Sequence, residues 1–183
     1  GADIAIWCAI NNFFVTLQDT SESQLGKAFL NANKSIKRKI KNKSLAQKTI
    51  DMLVPDISGN GIKSADVIIE AIVENLEAKQ ILFKQIESLA KPTAILATNT
   101  SSIRIEEIAS KLASPERLIG IHFFNPVRQM PLVEVIKTDA VSKAIENATY
   151  DFVNKIGKLP LPVKSSPGFL VNAVLGPYLQ NSM

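Results

Sequence analysis

At 183 residues and 46% apolar, the chain is long enough to bury one sizeable core and carries one domain plus a remnant, which excludes disordered and collagen-like architectures. A single cysteine, Cys8, excludes an intrachain disulfide framework, and a single histidine, His122, excludes a His/Cys metal cluster. The net charge of +4 is local: eight basic residues and no acid lie between Lys27 and Ile50, and the rest of the chain is net acidic.

Residues 2–11 read as a helix rich in Ala and Ile, and 13–17 as a buried strand ending at Gln18 and Asp19. Together they read as the second half of a β-α-β unit. Ser21 and Glu22 suit a helix start, and the helical pattern continues to about Lys43 before a second stretch, 45–53, stops at Val54-Pro55. The basic run falls on this helix, with Ile36 and Ile40 on one side and Lys37, Arg38 and Lys41 towards the other, as on a solvated face. The same face can attract a phosphate-rich ligand. Coenzyme A fits better than nucleic acid, because no aromatic residues are interleaved for base stacking. Residues 56–61 read as a loop, 66–71 as a strand and 76–90 as an amphipathic helix stopped by Pro92. A strand over 94–98, a helix over 105–112 and strands over 118–124 and 132–136 follow. Continuous apolar strands separated by amphipathic helices indicate a parallel sheet covered on both faces.

Beyond Ile136 the pattern gives a helix over 140–156, a short strand over 161–163, and then Ser165-Ser166-Pro167-Gly168. Ser166 as cap and Pro167 at the first helical position open a helix over 169–180 that is apolar on nearly every side. Such a helix belongs inside something, so a domain boundary is read near Ser166: residues 1–165 form one domain and 166–183 begin another. The longest apolar stretches, such as 4–10, fall well short of the roughly 20 residues a membrane-spanning helix needs, and no membrane passage is expected.

Gly1 opening a helix, with an acid 18 positions on at a strand end, forms the tail of a dinucleotide-binding fingerprint. Five further segments accompany it: Glu70-Ala71-Ile72-Val73-Glu74-Asn75, Ala97-Thr98-Asn99-Thr100-Ser101-Ser102, His122-Phe123-Phe124-Asn125-Pro126, Met130-Pro131-Leu132-Val133-Glu134-Val135 and Pro167-Gly168-Phe169-Leu170-Val171-Asn172. In this order and spacing they closely resemble the 3-hydroxyacyl-CoA dehydrogenase family, including versions built into multifunctional fatty-acid oxidation proteins. The resemblance covers essentially the whole chain and is weakest over 23–64.

The resemblance implies a Rossmann-type doubly wound α/β fold with a mostly parallel sheet, followed by the first helix of an all-α C-terminal domain. It also implies a chain cut inside its first nucleotide-binding turn, with the first strand ahead of Gly1, and a fragment inactive by itself. Gly1 would be the last glycine of the turn whose helix receives the NAD pyrophosphate on free amides and a favourable dipole. Asp19 resembles the acid that binds the adenosine ribose, and a carboxylate there would repel a 2′-phosphate, favouring NAD over NADP. Ala71, Glu74, Lys79, Asn99 and Ser101 match further cofactor-lining positions. Ser101 and Asn172 match positions that bracket the substrate oxygen, and Asn125 supports the turn after His122. Ser35, with Lys39 or Lys41, falls near positions that touch coenzyme A. One departure is Ala173, where the family often has arginine, which bears on how a second domain docks.

A solitary histidine in an apolar strand is ordinarily a core residue. Here His122 and Glu134 lie 12 residues apart on consecutive strands, and a connection through Asn125-Pro126 can return the carboxylate beside the imidazole. This matches the family's catalytic pair in identity and spacing. A base near pKa 7 suits removal of an alcohol proton while hydride leaves the same carbon, and a neighbouring carboxylate orients the ring. The implied reaction converts L-3-hydroxyacyl-CoA to 3-ketoacyl-CoA. The implied partners are an acyl-CoA and either a second copy, through a C-terminal domain, or the rest of a multifunctional chain. The compartment would be the cytoplasm in bacteria and the mitochondrial matrix or peroxisome in eukaryotes. Two alternatives stand beside this reading: a related β-hydroxyacid dehydrogenase acting on a small free acid, and an inactive dehydrogenase-like binding protein.

Overall fold

The structure, a computed structural model, describes residues 1–166 and, beyond them, 168 and 169. Helix α1 (Ala2–Ile10) ends where Asn12 takes a left-handed backbone (φ 67°) and the Phe13 amide turns back to the Cys8 carbonyl. Asparagine tolerates that conformation. The turn consumes Phe13, so strand β1 spans Val15–Gln18 and starts two residues later than alternation puts it. Helix α2 (Glu22–Lys39) is capped by Ser21, whose Oγ accepts from the Gln24 amide, and it stops short of the expected Lys43. The reason is local, since the Asn42 side chain accepts from the Leu45 amide and starts a separate helix, α3 (Lys43–Asp51).

The main departure from the sequence reading is β2 (Leu53–Asp56), which runs parallel to β1 across residues read as a helix end and a loop. Pro55 has no amide to give, but β2 pairs on one side only, where a proline is tolerated. Asp56 closes the next loop, its two oxygens accepting from the amides of Asn60 and Gly61.

The rest alternates as expected: β3 (Val67–Glu70), α4 (Leu76–Leu89), β4 (Ile95–Thr98), α5 (Ile105–Ala109), β5 (Leu118–Phe123), β6 (Leu132–Lys137), α6 (Lys143–Lys155) and β7 (Leu159–Lys164). Helix α5 stops at Ala109 rather than at Leu112, and α6 begins at Lys143 because Ser142 caps it by accepting from the Ile145 amide. Strands β3 to β7 form one sheet in chain order, parallel except at β5–β6, while β1 and β2 form a second, parallel pair.

Both faces of the larger sheet are covered, as its apolar strands require. Ile95 and Ala97 of β4, Ile119 and Ile121 of β5, and Val133 and Val135 of β6 pack towards α1 and α6. Leu96, Leu118 and Ile136 point the opposite way, against Phe83 and Ile86 of α4 and Ile105 and Ile108 of α5. A third cluster joins α1, α2, α3 and the β1–β2 pair through Ala9, Ile36 and Leu53. Strand alternation therefore sends His122 and Glu134 to the α4–α5 face. Among the described residues, no helix is long and apolar enough to cross a membrane, and no group of three His, Cys, Asp or Glu side chains is placed to hold a metal ion. The helix expected over 169–180, with Asn172 and Ala173, lies outside the described residues.

Candidate active site

The antiparallel register of β5 and β6 sets His122 directly opposite Glu134. Their side chains meet at 2.8 Å between Nδ1 and Oε2, with the glutamate fully buried and the histidine 7% exposed. A carboxylate only accepts hydrogen bonds, so it fixes the proton on Nδ1 and leaves the Nε2 lone pair to act as a base. The imidazole is flanked by aromatic rings, Phe124 at 4.7 Å and Phe169 at 5.9 Å between centroids.

Beside this pair, the loop after β4 is held by two carboxylates. Glu70, at the end of β3, accepts from the Ile72 amide at 2.6 Å, the Lys79 ammonium at 2.7 Å and the Thr98 hydroxyl at 2.7 Å. Lys79 is itself buried and reaches on to Glu74 at 3.4 Å. Glu74 in turn accepts from the Thr100 hydroxyl at 2.5 Å and from the amides of Ser101 and Ser102, each at 3.0 Å. Burial pushes the Glu74 carboxyl up, but hydrogen bonds from Thr100, Ser102 and Ser101, with the Lys79 charge, outweigh it and hold the group at about 2. Next to this network, Asn99 accepts from the Phe123 amide at 2.9 Å, tying the same loop to β5 one residue past His122.

Two cavities open beside α1, one at its N-terminus and one along its length. One of about 270 Å³ is lined by Gly1, Ala2, Asp3, Asn99, Phe123 and Asn125 among others. Gly1 lies against Ala71: a Cβ added to the glycine would stand 3.7 Å from the alanine methyl. The first intrahelical hydrogen bond runs from the Ala5 amide to the Gly1 carbonyl, so the amides of residues 2–4 have no acceptor within the helix. The second cavity, about 510 Å³, lies between α1, α2 and the loop after β5, with Trp7, Ser35, Arg38, Pro126 and Arg128 in its wall. Among the described residues, Asp3 is the one acid in either lining.

The structure thus joins His122 to Glu134, Glu74 to Ser101 and Lys79, and Gly1 to Ala71, with Asn99 and Asn125 on one cavity. Asp19 is exposed just past β1 and accepts from the Ser21 amide at 2.9 Å, so it serves the turn before α2. Ser35 lines the second cavity, Lys39 lies over the face of Trp7, and Lys41 is not part of that wall.

The family model described as the 3-hydroxyacyl-CoA dehydrogenase NAD-binding domain matches residues 1–166. The chain belongs to the 3-hydroxyacyl-CoA dehydrogenase family. It is 39% identical over 98% of its length to the mitochondrial hydroxyacyl-coenzyme A dehydrogenase of Mus musculus, covering 60% of that protein. It is 37% identical, again over 98%, to a fatty acid oxidation complex subunit alpha from Idiomarina loihiensis, covering 26% of it. Among solved structures, (S)-3-hydroxybutyryl-CoA dehydrogenase PaaH1 from Ralstonia eutropha superposes with a TM-score of 0.94 at 34% identity, over 99% of this chain and 65% of that one. The chain therefore spans between a quarter and two thirds of the length of these relatives.

Within this dehydrogenase domain, sequence reasoning passed over Glu70 as a site residue, although an acid closing an apolar strand nine positions before a lysine was a usable signal. It also passed over Lys158 and Trp7, which nothing in local spacing marks.

Proposed function

We propose that the protein carrying this chain oxidises L-3-hydroxyacyl-CoA to 3-ketoacyl-CoA with NAD, and that residues 1–165 are its cofactor-binding domain and 166–183 the start of a helical substrate and dimerisation domain. The observation that carries the reading is the buried His122–Glu134 pair at 2.8 Å, whose strand β5 runs on through Phe123 into the wall of a cavity opening at the start of α1. The residues present fit NAD: Gly1 lets the chain lie close to Ala71, the α1 amides lack intrahelical acceptors, and Asp19 ends the next segment as an exposed carboxylate. NAD bound there would supply the acceptor for the hydride that leaves the carbinol carbon of the substrate.

The chain's own residues supply the rest. His122 Nε2 takes the 3-hydroxyl proton, while Glu134 holds the ring through Nδ1 and stabilises the imidazolium that forms. Phe124 and Phe169 pack against the ring and lower the polarity around it. Ser101, fixed through Glu74 and Lys79, and Asn172 bracket the substrate oxygen. Arg38 and Arg128 give the second cavity the charge that the phosphates at the nucleotide end of coenzyme A require, and Ser35 adds a neutral hydroxyl donor. On this reading the whole protein works as a homodimer or as part of a multifunctional chain, in the bacterial cytoplasm or in a mitochondrial or peroxisomal matrix.

Steady-state assays test this directly. L-3-hydroxybutyryl-CoA with NAD is the expected preferred combination. Equal turnover of free 3-hydroxybutyrate, or equal use of NADP, contradicts the proposal.

A further inference from the structure

The loop between β5 and β6, residues 124–131, forms walls of both cavities, yet its own hydrogen bonds make only one turn, from the Gln129 and Met130 amides to the Pro126 carbonyl. What holds it from inside is Lys158. This residue is 3% exposed, and its ammonium donates to the carbonyls of Val127 and, at 2.6 Å, of Met130. Those two carbonyls bracket residues 128 and 129, so they fix the backbone from which Arg128 enters the second cavity. Among the described residues no carboxylate pairs with Lys158; its remaining partner is the face of Trp7, 4.1 Å from ammonium to ring centroid.

Trp7 carries the clamp across the cavity. Its Nε1 donates to the Ile156 carbonyl at 2.8 Å, which locks the indole, and the Lys39 ammonium also lies 4.1 Å from the ring. Lys39 is the last residue of α2 and directly follows Arg38. One indole therefore gathers the end of α2 and, through Lys158, the loop after β5, which are the two walls that carry Arg38 and Arg128. The result is two arginines in the cavity wall with two ammonium groups behind it on Trp7, while among the described residues of the lining the one acid is Asp3. Burial lowers the affinity of Lys39 and Lys158 for a proton, and the neighbouring positive charges lower it further. A phosphate between the walls would relieve that repulsion.

We infer that Lys158, braced on Trp7, is the positioning residue that sets the spacing of the Arg38 and Arg128 walls, so that the cavity grips the phosphates of a nucleotide thioester. The inference rests on the proposed reading of that cavity as the seat of the coenzyme A nucleotide end. Lys158 touches neither the reacting atoms nor the cofactor. Its removal acts on substrate recognition, not on proton transfer.

The test compares reduction of acetoacetyl-CoA and acetoacetyl-pantetheine by NADH, using the protein that carries this chain. The unaltered protein is expected to show a much lower KM for the CoA ester. Lys158→Met should raise that KM about tenfold or more, while the pantetheine KM and both kcat values stay within about twofold. Lys158→Arg, which keeps a cation for the two carbonyls, should restore most of the difference. Should Lys158→Met fail to fold, Lys158→Gln retains a donor for one carbonyl and carries the same comparison. Equal KM increases for both esters, a fall in both kcat values, or no change at all would overturn the role given to Lys158. No difference between the two esters in the unaltered protein would overturn the reading of the cavity, and this inference with it.

Discussion

Two loops border the His122–Glu134 pair, and they are held by opposite charges. The loop after β4 hangs on carboxylates: Glu70 anchors Lys79, Lys79 steadies Glu74, and Glu74 gathers the hydroxyl of Thr100 and the amides of Ser101 and Ser102. The loop after β5 hangs on an ammonium, Lys158, which gathers carbonyls. An acidic anchor uses up the amides of its loop, whereas a basic anchor uses up carbonyls and adds positive charge to the wall behind. Under the function proposed above, the first device suits a loop that presents the neutral hydroxyl of Ser101, and the second suits one that faces phosphates.

The carboxylate side of this comparison breaks most severely at Lys79. Lys79→Met would leave Glu70 buried without its cation, and the expected loss is about 3–5 kcal/mol in denaturant unfolding. A double replacement, Lys79→Met with Glu70→Leu, should recover much of that loss. A single variant as stable as the parent would show that the network does not hold the loop.

A smaller effect is expected away from both anchors. Asp19 belongs to neither loop, so Asp19→Ala should weaken NAD binding about tenfold, roughly the 1.4 kcal/mol of one charged hydrogen bond, with turnover at saturation little changed. Titration calorimetry would detect this, and an unchanged dissociation constant would confine Asp19 to its turn with Ser21.

A further effect sharpens the comparison through pH. The Glu74 carboxyl is held at about 2 against an ordinary 4.5, so its stabilising contribution is complete above about pH 4.5 and is lost as pH falls towards 2. A Glu74→Gln variant should lack that loss, and its stability should vary less with pH across the same window. The basic anchor has no group titrating there. Parallel curves for parent and variant would remove Glu74 from the account.

Much of this was legible in the sequence, for physical reasons that differ by residue. Strands β3 to β6 announce themselves by apolar runs and helix α4 by its amphipathic spacing and the stop at Pro92; the Asn75 cap, whose side chain accepts from the Ala78 amide, appears only in the structure. Strand β2 did not, because four residues containing a proline at a sheet edge carry no pattern of their own and become a strand only by pairing with β1. The pairing of His122 with Glu134 could be read because the two are close in sequence and the intervening Asn-Pro turn permits reversal. Lys158 could not, since its partners lie 28 and 31 residues earlier and are backbone carbonyls, which every sequence supplies. The indole that braces it comes from α1, 149 residues before the Ile156 carbonyl that it binds.

The central claim is that His122, oriented by Glu134, is the proton acceptor. Replacing it by glutamine keeps a polar side chain of similar reach and removes the base, so the measurement that bears most directly is turnover of L-3-hydroxybutyryl-CoA by the His122→Gln variant, with NAD affinity determined in parallel. Turnover should fall by on the order of 10² to 10⁴ while NAD binding stays within about twofold. Near-normal turnover would make His122 a buried structural residue and contradict the account.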